Sequence, residues 1–264
     1  MDPTRPSPAR LYDYYLGGTH HLPVDREFGE KLKAAVPDLL DGVWANRGFH
    51  QRAATWLAEQ GITQFIDIGS GLPTQNNTHQ AVQLIHPGAR VAYADHDPMV
   101  AEYASQFLAS DGTTVVITAD LREPDSILAS PELRALIDFS QPVGVLMTAV
   151  LHFVADGSDP WGLVRHYIGA TVPGSYLVLS HFTADKVPPR AVRASHDVYS
   201  QATESIFARN HEEFLRFFDG LELVPPQPGA DPGVSFAGVW GAEDPVAADS
   251  DGSRGMYAAV ARRP

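Results

Sequence analysis

From residue 62 onward, short apolar runs alternate with helix-length segments, and this alternation narrows the possible folds more than any other feature of the chain. The runs ITQFIDI, ARVAYAD, TTVVITAD, PVGVLMT and SYLVLSH are bulky and almost wholly apolar, as strands covered on both faces require. Between them lie segments 78–85, 98–109, 130–137 and 159–171, each long enough for a helix. This spacing predicts βαβ units and a parallel sheet. LELV and the closing MYAAVARR add two strands, so the expectation is an α/β chain built on a mostly parallel seven-stranded sheet with helices on both faces. Asn210, with Glu213 three residues on, marks a capping-box start for a helix ending near Phe218. Segment 225–255 is rich in Pro, Gly and Asp with little periodicity, and reads as a long loop.

The first sixty residues follow a different pattern. Pro8 at a first turn and a terminating glycine pair bracket Leu11, Tyr12, Tyr15 and Leu16 at helical spacing, and segments 24–36 and 38–60 continue as helices. We therefore expect a helical cap over residues 1–61 and an α/β core over 62–264, in one domain overall. Tyr12, Tyr15, His20 and His21, beside Gly17 and Gly18, are placed to form a lid; a packed amphipathic helix with solvated ends explains them equally well.

Nineteen basic against thirty-two acidic residues give a net charge of −13, which disfavours nucleic acid and anionic membrane surfaces as partners. The absence of cysteine removes disulfides, thiolate zinc sites and cysteine nucleophiles together. No two of the eleven histidines stand four apart as H-x-x-x-H or in H-E-x-x-H, so no metal is expected, and there is no G-x-S-x-G. The N-terminus has no signal-like apolar core and no later run is long enough for a membrane span, so a soluble, cytoplasmic protein is expected.

Parallel sheets bind ligands beyond the carboxyl ends of their strands. The first strand here ends in Asp67, Ile68, Gly69, Ser70, Gly71, a turn in which a ligand can lie against main-chain N–H groups. The second ends in Asp95, His96, Asp97, where a carboxylate can accept both hydroxyl hydrogens of a ribose; the third ends in Asp120 and Leu121, able to read the amino edge of an adenine. Thr148 closes the fourth. Any one of these acids is explained as a helix cap, but three acids and a glycine turn closing successive strands are not. Leu72, Pro73 and Thr74 follow Gly71 with no third glycine, and the next helix start, at Asn76 to Thr78, is displaced from the turn. A pyrophosphate needs that helix N-terminus, whereas S-adenosylmethionine does not, so the pattern favours the latter. An NAD-dependent oxidoreductase and a non-catalytic S-adenosylmethionine-binding protein remain as alternatives.

D-x-G-x-G on the first strand, an acid on the second, Asp-Leu on the third, and VLMTAVLHFV followed by TVPGSYLVLS resemble the ordered motifs of class I S-adenosylmethionine-dependent methyltransferases. ARLYDYYLGG, ANRGF at 45–49, FIDIGSGLPTQNNTH and YADHDP resemble a bacterial family of predicted methyltransferases with an unassigned acceptor, from about Pro6 to the C-terminus. The resemblance implies a Rossmann-like sheet. It also implies that Gly69, Ser70 and Gly71 line the methionine portion of the cofactor, Asp67 orients the turn, Asp95 holds the ribose, Asp120 with the Leu121 backbone reads adenine, and Thr148 sits near the sulfonium. His96 would pack along adenine or ribose, and Arg47 is a candidate partner for the cofactor carboxylate. His152 and His181 are the candidate bases, packing being the competing explanation for each. The helical cap and segment 182–209 are placed to close a pocket around a small-molecule acceptor.

Overall fold

A computed structural model describes residues 2–73, 77–107 and 112–264. Three helices come first, α1 (Pro8–Tyr15), α2 (Pro23–Ala35) and α3 (Leu39–Glu59), followed by the sheet strands β1 (Gln64–Ile68), β2 (Arg90–Asp95), β3 (Thr114–Thr118), β4 (Gly144–Thr148) and β5 (Tyr176–Phe182). The chain between these strands forms α4 (Thr78–Gln83), α5 (Pro98–Phe107), α6 (Pro124–Leu128), α7 (Pro131–Leu136) and α8 (Pro160–Gly169). After β5 come α9 (Pro189–Tyr199), α10 (His211–Leu215), β6 (Glu222–Leu223), β7 (Ser235–Phe236), α11 (Pro245–Ala248) and β8 (Met256–Arg262). Most of the helices open on proline, whose fixed φ suits a first turn and whose missing N–H would be unbonded there anyway. The expected helix over 98–109 is described to Phe107, its last two positions lying outside the described residues.

The sheet runs β3-β2-β1-β4-β5-β8-β6, with β7 also paired to β8. β1 to β5 are mutually parallel, and β8 is antiparallel to β5, β6 and β7. The sheet therefore has eight strands, where the sequence pattern predicts seven. The extra one, Ser235 and Phe236, lies in the 225–255 segment expected to be a loop and pairs with Ala258 and Tyr257. Two residues are too few to carry a period, which is why the strand leaves no pattern. The capping box at Asn210 forms as expected: its Oδ1 accepts from the Glu213 N–H at 3.0 Å, and Glu213 Oε2 accepts from the Asn210 N–H at 2.8 Å.

Strand alternation sorts the core into two layers. Ile66, Ile68, Val145, Met147, Leu177 and Leu179 pack on one face with Trp161, Tyr167, Phe214 and Phe217. Phe65, Val91, Leu146, Val178 and Val260 pack on the other against Phe49, Ala53, Leu57 and Ala58 of α3. With a period of two, Asp67 shares the face of Phe65, and Thr148 that of Leu146, so both point toward α3. A separate cluster joins Leu11 and Tyr15 of α1 to Leu32 of α2 and Val198 of α9, placing these helices together beyond the carboxyl edge. Among the described residues, no helix is long and apolar enough to cross a membrane.

Candidate active site

The carboxyl ends of β1, β2 and β4 and the loop after β3 open onto one cavity of about 390 Å³. Asp67, Gly69, Ser70 and Gly71 line it from β1, Asp95 and His96 from β2, Asp120 and Leu121 from beyond β3, and Thr148 and His152 from β4. Tyr12, Tyr15 and Arg47 line it from the helical cap. His20 and His21 are not part of the wall. They fold back on the buried Asp13, whose Oδ2 accepts from the His20 N–H at 2.9 Å and lies 3.3 Å from His21 Nδ1.

The glycine turn is built by two different constraints. Gly69 has φ +70° and Gly71 φ +66°, both left-handed. A Cβ on Gly69 would stand 2.2 Å from Val150 Cγ2, whereas one on Gly71 would meet nothing within 4 Å among the described residues. Between them, the Ser70 Oγ is buried without a hydrogen-bond partner among the described residues. The Leu72-Pro73-Thr74 departure is described only to Pro73, Thr74 to Asn76 lying outside the described residues.

Asp95 is fixed by main chain on both sides. Its Oδ2 accepts from the Gly71 N–H and its Oδ1 from the Asp97 N–H, each at 2.9 Å. Burial pushes this carboxyl upward in pKa, and the two N–H groups oppose that push. Asp97 in turn accepts from the Ser7 Oγ at 2.8 Å, which ties the start of α1 to the end of β2. A second tie lies behind it: Arg10 Nε donates to Asp25 Oδ2 at 2.7 Å, and both side chains are buried.

Asp120 is engaged by Arg122, which donates to both carboxylate oxygens at 2.7 to 3.0 Å. Burial raises the Asp120 pKa, but the bonds from Arg122 outweigh it and hold the carboxyl below its ordinary value. Arg122 reaches on to Glu204 at 3.2 Å, and His96 Nε2 lies 3.7 Å from the same carboxylate. Arg122 and Glu204 thus join the β3 loop to the segment after α9, with His96 of the β2 loop beside them.

Deeper in the cavity a buried polar chain runs from β4 to β1. Thr148 Oγ1 lies 2.8 Å from His50 Nδ1, His50 Nε2 lies 2.8 Å from Thr78 Oγ1, and Thr78 Oγ1 donates to Asp67 Oδ2 at 2.6 Å. Burial, with the nearby Arg47 charge, drives the His50 pKa down to about 3. Burial lifts Asp67 to about 6 against the opposing pull of Thr78 and Arg47. Sequence reasoning did not single out His50 or Thr78. His50 follows directly on ANRGF, three residues after Arg47 and so on the same side of α3, which is the one signal that pointed to it. Alongside, the Ser180 Oγ donates to Asn46 Oδ1 at 2.5 Å and accepts from the Ala149 N–H at 3.0 Å. Ala149 itself has φ +53°, a conformation costly for a residue with a Cβ, and it turns the chain sharply just past Thr148.

The two histidines expected as bases fare differently. His152 lines the cavity, but burial and Arg209 lower its pKa to about 3, which makes it a poor proton acceptor near neutrality. His181 lies outside the cavity, fully buried. It follows Leu177 and Leu179 in the alternation of β5 and packs on the face away from α3, its ring 5.7 Å from that of Phe217. Arg209 Nη1 donates to its Nε2 at 2.6 Å, and its Nδ1 bonds the Phe182 carbonyl at 2.7 Å. Ser180, one residue earlier, is turned toward α3, where it donates to Asn46.

A family model described as S-adenosyl methyltransferase matches residues 1–264. No curated protein matches the chain. A solved structure of a DUF574-family protein from Streptomyces avermitilis MA-4680 is 38% identical, with a TM-score of 0.92 over 100% of this chain and 99% of its own. A second, of a candidate methyltransferase from Thermobifida fusca YX, is 36% identical, with a TM-score of 0.90 over 98% of this chain and 96% of its own. Human N-acetylserotonin methyltransferase, solved in complex with S-adenosylmethionine, shares the fold at 16% identity and a TM-score of 0.50, over 96% of this chain and 62% of its own.

Proposed function

The chain belongs to the S-adenosyl methyltransferase family, and from that premise we propose that the cavity at the carboxyl edge holds S-adenosylmethionine beside a small-molecule acceptor, which it methylates. The residues present suit the cofactor. Among the described residues, Ser70 offers a buried hydroxyl with no partner, and the space beside Gly71 that a Cβ would fill is open. When bound, the cofactor supplies a sulfonium methyl group for in-line displacement.

In this reading Asp95 accepts from the ribose hydroxyls, its two backbone bonds having already fixed its plane. The turn at 69–71 lies along the methionine portion, Arg47 faces the carboxylate end, and Asp120 with the Leu121 backbone meets the adenine, His96 packing beside it. Thr148 would sit close to the sulfonium, and Asp67 would orient the turn. Residues 1–61 roof the cavity over the 62–264 core, and the apolar side chains of Val36, Leu39, Val43, Val187 and Tyr199 offer a wall for an acceptor with an apolar body. The same reading puts the protein in the cytoplasm, the cysteine-free sequence needing no oxidising compartment.

The observation that carries this proposal is the Asp95 carboxylate held in place beside an open glycine turn. S-adenosylhomocysteine at a hundred times its Kd should stabilise the fold by about 2.7 kcal/mol, read as a rise in Tm. Asp95→Ala should abolish the rise, and an unchanged rise in that variant would overturn the ribose assignment. NADH should leave Tm unmoved; a rise with NADH and none with S-adenosylhomocysteine would return the oxidoreductase reading.

A further inference from the structure

We propose that Thr148, His50, Thr78 and Asp67 form a buried proton relay that carries the proton released from a hydroxyl-bearing acceptor as that hydroxyl is methylated. The inference rests on reading the cavity as the methyl-transfer site. It starts from the hydrogens each group has to give. An ionised Asp67 only accepts, so Thr78 spends its single hydrogen on Asp67 Oδ2 at 2.6 Å. The Thr78 Oγ1 must then accept from His50 Nε2 at 2.8 Å. His50 is 4% exposed and its ring is held neutral, so it has one N–H, and Nδ1 is left bare to accept the Thr148 hydrogen at 2.8 Å. Of the four, Thr148, His50 and Asp67 line the cavity, from β4, α3 and β1 respectively.

Thr148, His50 and Thr78 therefore each have one hydrogen to pass on and one lone pair to receive another, and Asp67 ends the chain as an acceptor. As the acceptor oxygen bonds to the methyl carbon, the carbon–sulfur bond breaks and its electron pair stays on sulfur. The hydroxyl proton passes to Thr148 Oγ1, the Thr148 proton to His50 Nδ1, the His50 Nε2 proton to Thr78 Oγ1 and the Thr78 proton to Asp67 Oδ2. The proton ends on Asp67 and later returns to solvent, and the imidazole has exchanged one tautomer for the other. No imidazolium forms, so the weak basicity of the buried ring is no obstacle. Asp67, lifted by burial to about 6, is a carboxylate able to hold a proton close to neutral pH.

Among the described residues, the charged and titratable groups facing the relay are few. Arg47 approaches from α3 and favours the ionised form of Asp67. Tyr93 approaches from β2, and its hydroxyl is held by the N–H and the ring Nδ1 of His79, both at 2.8 Å. Its phenol is pushed upward by burial and by Asp67, so it stays neutral.

The two states of the relay differ in which ring nitrogen of His50 bears the hydrogen, so ¹⁵N NMR of the cofactor-free chain tests it without turnover. Above about pH 6 the ring should carry hydrogen on Nε2, and below it on Nδ1, remaining neutral throughout the range from pH 8 to 4.5. Thr78→Val, which cuts the chain between two intact ends, should leave the tautomer fixed as pH changes, and Thr78→Ser should restore the exchange. Asp67→Asn, whose amide donates where the protonated carboxyl would, should hold the hydrogen on Nδ1 at every pH. A ring that becomes imidazolium in this range, a tautomer indifferent to pH in the unaltered chain, or an exchange that survives Thr78→Val would each overturn the relay. Should Thr78→Val fail to fold, Thr78→Ser and Asp67→Asn still decide the matter. Cofactor binding is read separately by the melting shift, so a failed relay and a failed methyl-transfer reading give different results.

Discussion

Gly69 and Gly71 share a left-handed backbone and differ in what surrounds them, so the same substitution should have different consequences at the two positions. Gly69→Ala places a methyl against Val150 and pays the left-handed penalty as well, a loss of about 2–4 kcal/mol in stability. Gly71→Ala meets no neighbour among the described residues and should cost only the backbone term of about 1–2 kcal/mol, while its new methyl would enter the space proposed for the cofactor. Urea unfolding and the S-adenosylhomocysteine melting shift separate the two: the first variant should lose stability, the second should stay folded and lose the shift. The reverse ranking would overturn this assignment of space around the turn. Residues of this kind are legible in sequence because parallel strands bring their carboxyl ends to one edge. His50 and Thr78 are not, since they meet only where α3 crosses beneath β1 and β4, and nothing local fixes which α3 residue lands there. His181 misleads for the complementary reason: it looks like a strand terminus, yet β5 continues to Phe182 and the alternation turns His181 to the other face.

At the level of elements, α1 is held by a few buried polar contacts more than by its length of eight residues. Asp25 accepts from Arg10, the Ser7 N–H and the Leu22 N–H, so one carboxylate joins the start of α1 to the start of α2. Asp25→Ala would leave the Arg10 guanidinium buried without its counter-charge, and should lower stability by about 3–5 kcal/mol in urea unfolding. A loss below about 1 kcal/mol would show that the pair does not anchor these helices. The long elements were readable from period and caps. α9 was also within reach, with Ala191, Ser195 and Val198 at helical spacing, but the prolines at 188 and 189 read as loop until their place in a first turn is seen. β6 is half the length of the LELV run and β7 has two residues; pairing with β8, a long-range event, defines both.

The whole molecule carries an acid sensitivity that follows from its burial pattern. His50, His152 and His181 are held neutral in the fold, below their ordinary value near 6.5. Their contribution to stability is present above pH 6.5 and is lost as pH falls, because the unfolded chain binds the protons. Asp67, raised from 3.8 to about 6, works in the opposite sense and favours the fold at lower pH. Asp95, also raised by burial, acts with Asp67, and the three imidazoles still outweigh the two carboxyls, so unfolding takes up protons and stability falls between pH 6 and 5. Urea midpoints at pH 7, 6 and 5 should fall steeply over the last step; a constant midpoint would mean that the imidazoles are not buried neutral. The sheet order has its own consequence during synthesis. The outer edge of β5 pairs only with β8, so from the time residue 182 is made until residue 256 is made, its hydrogen-bonding groups wait without their strand. At ~5–20 residues per second that is a delay of several seconds. Through those seconds the nascent chain presents an apolar strand edge, and shielding it is a task for the ribosome and its chaperones rather than for the fold.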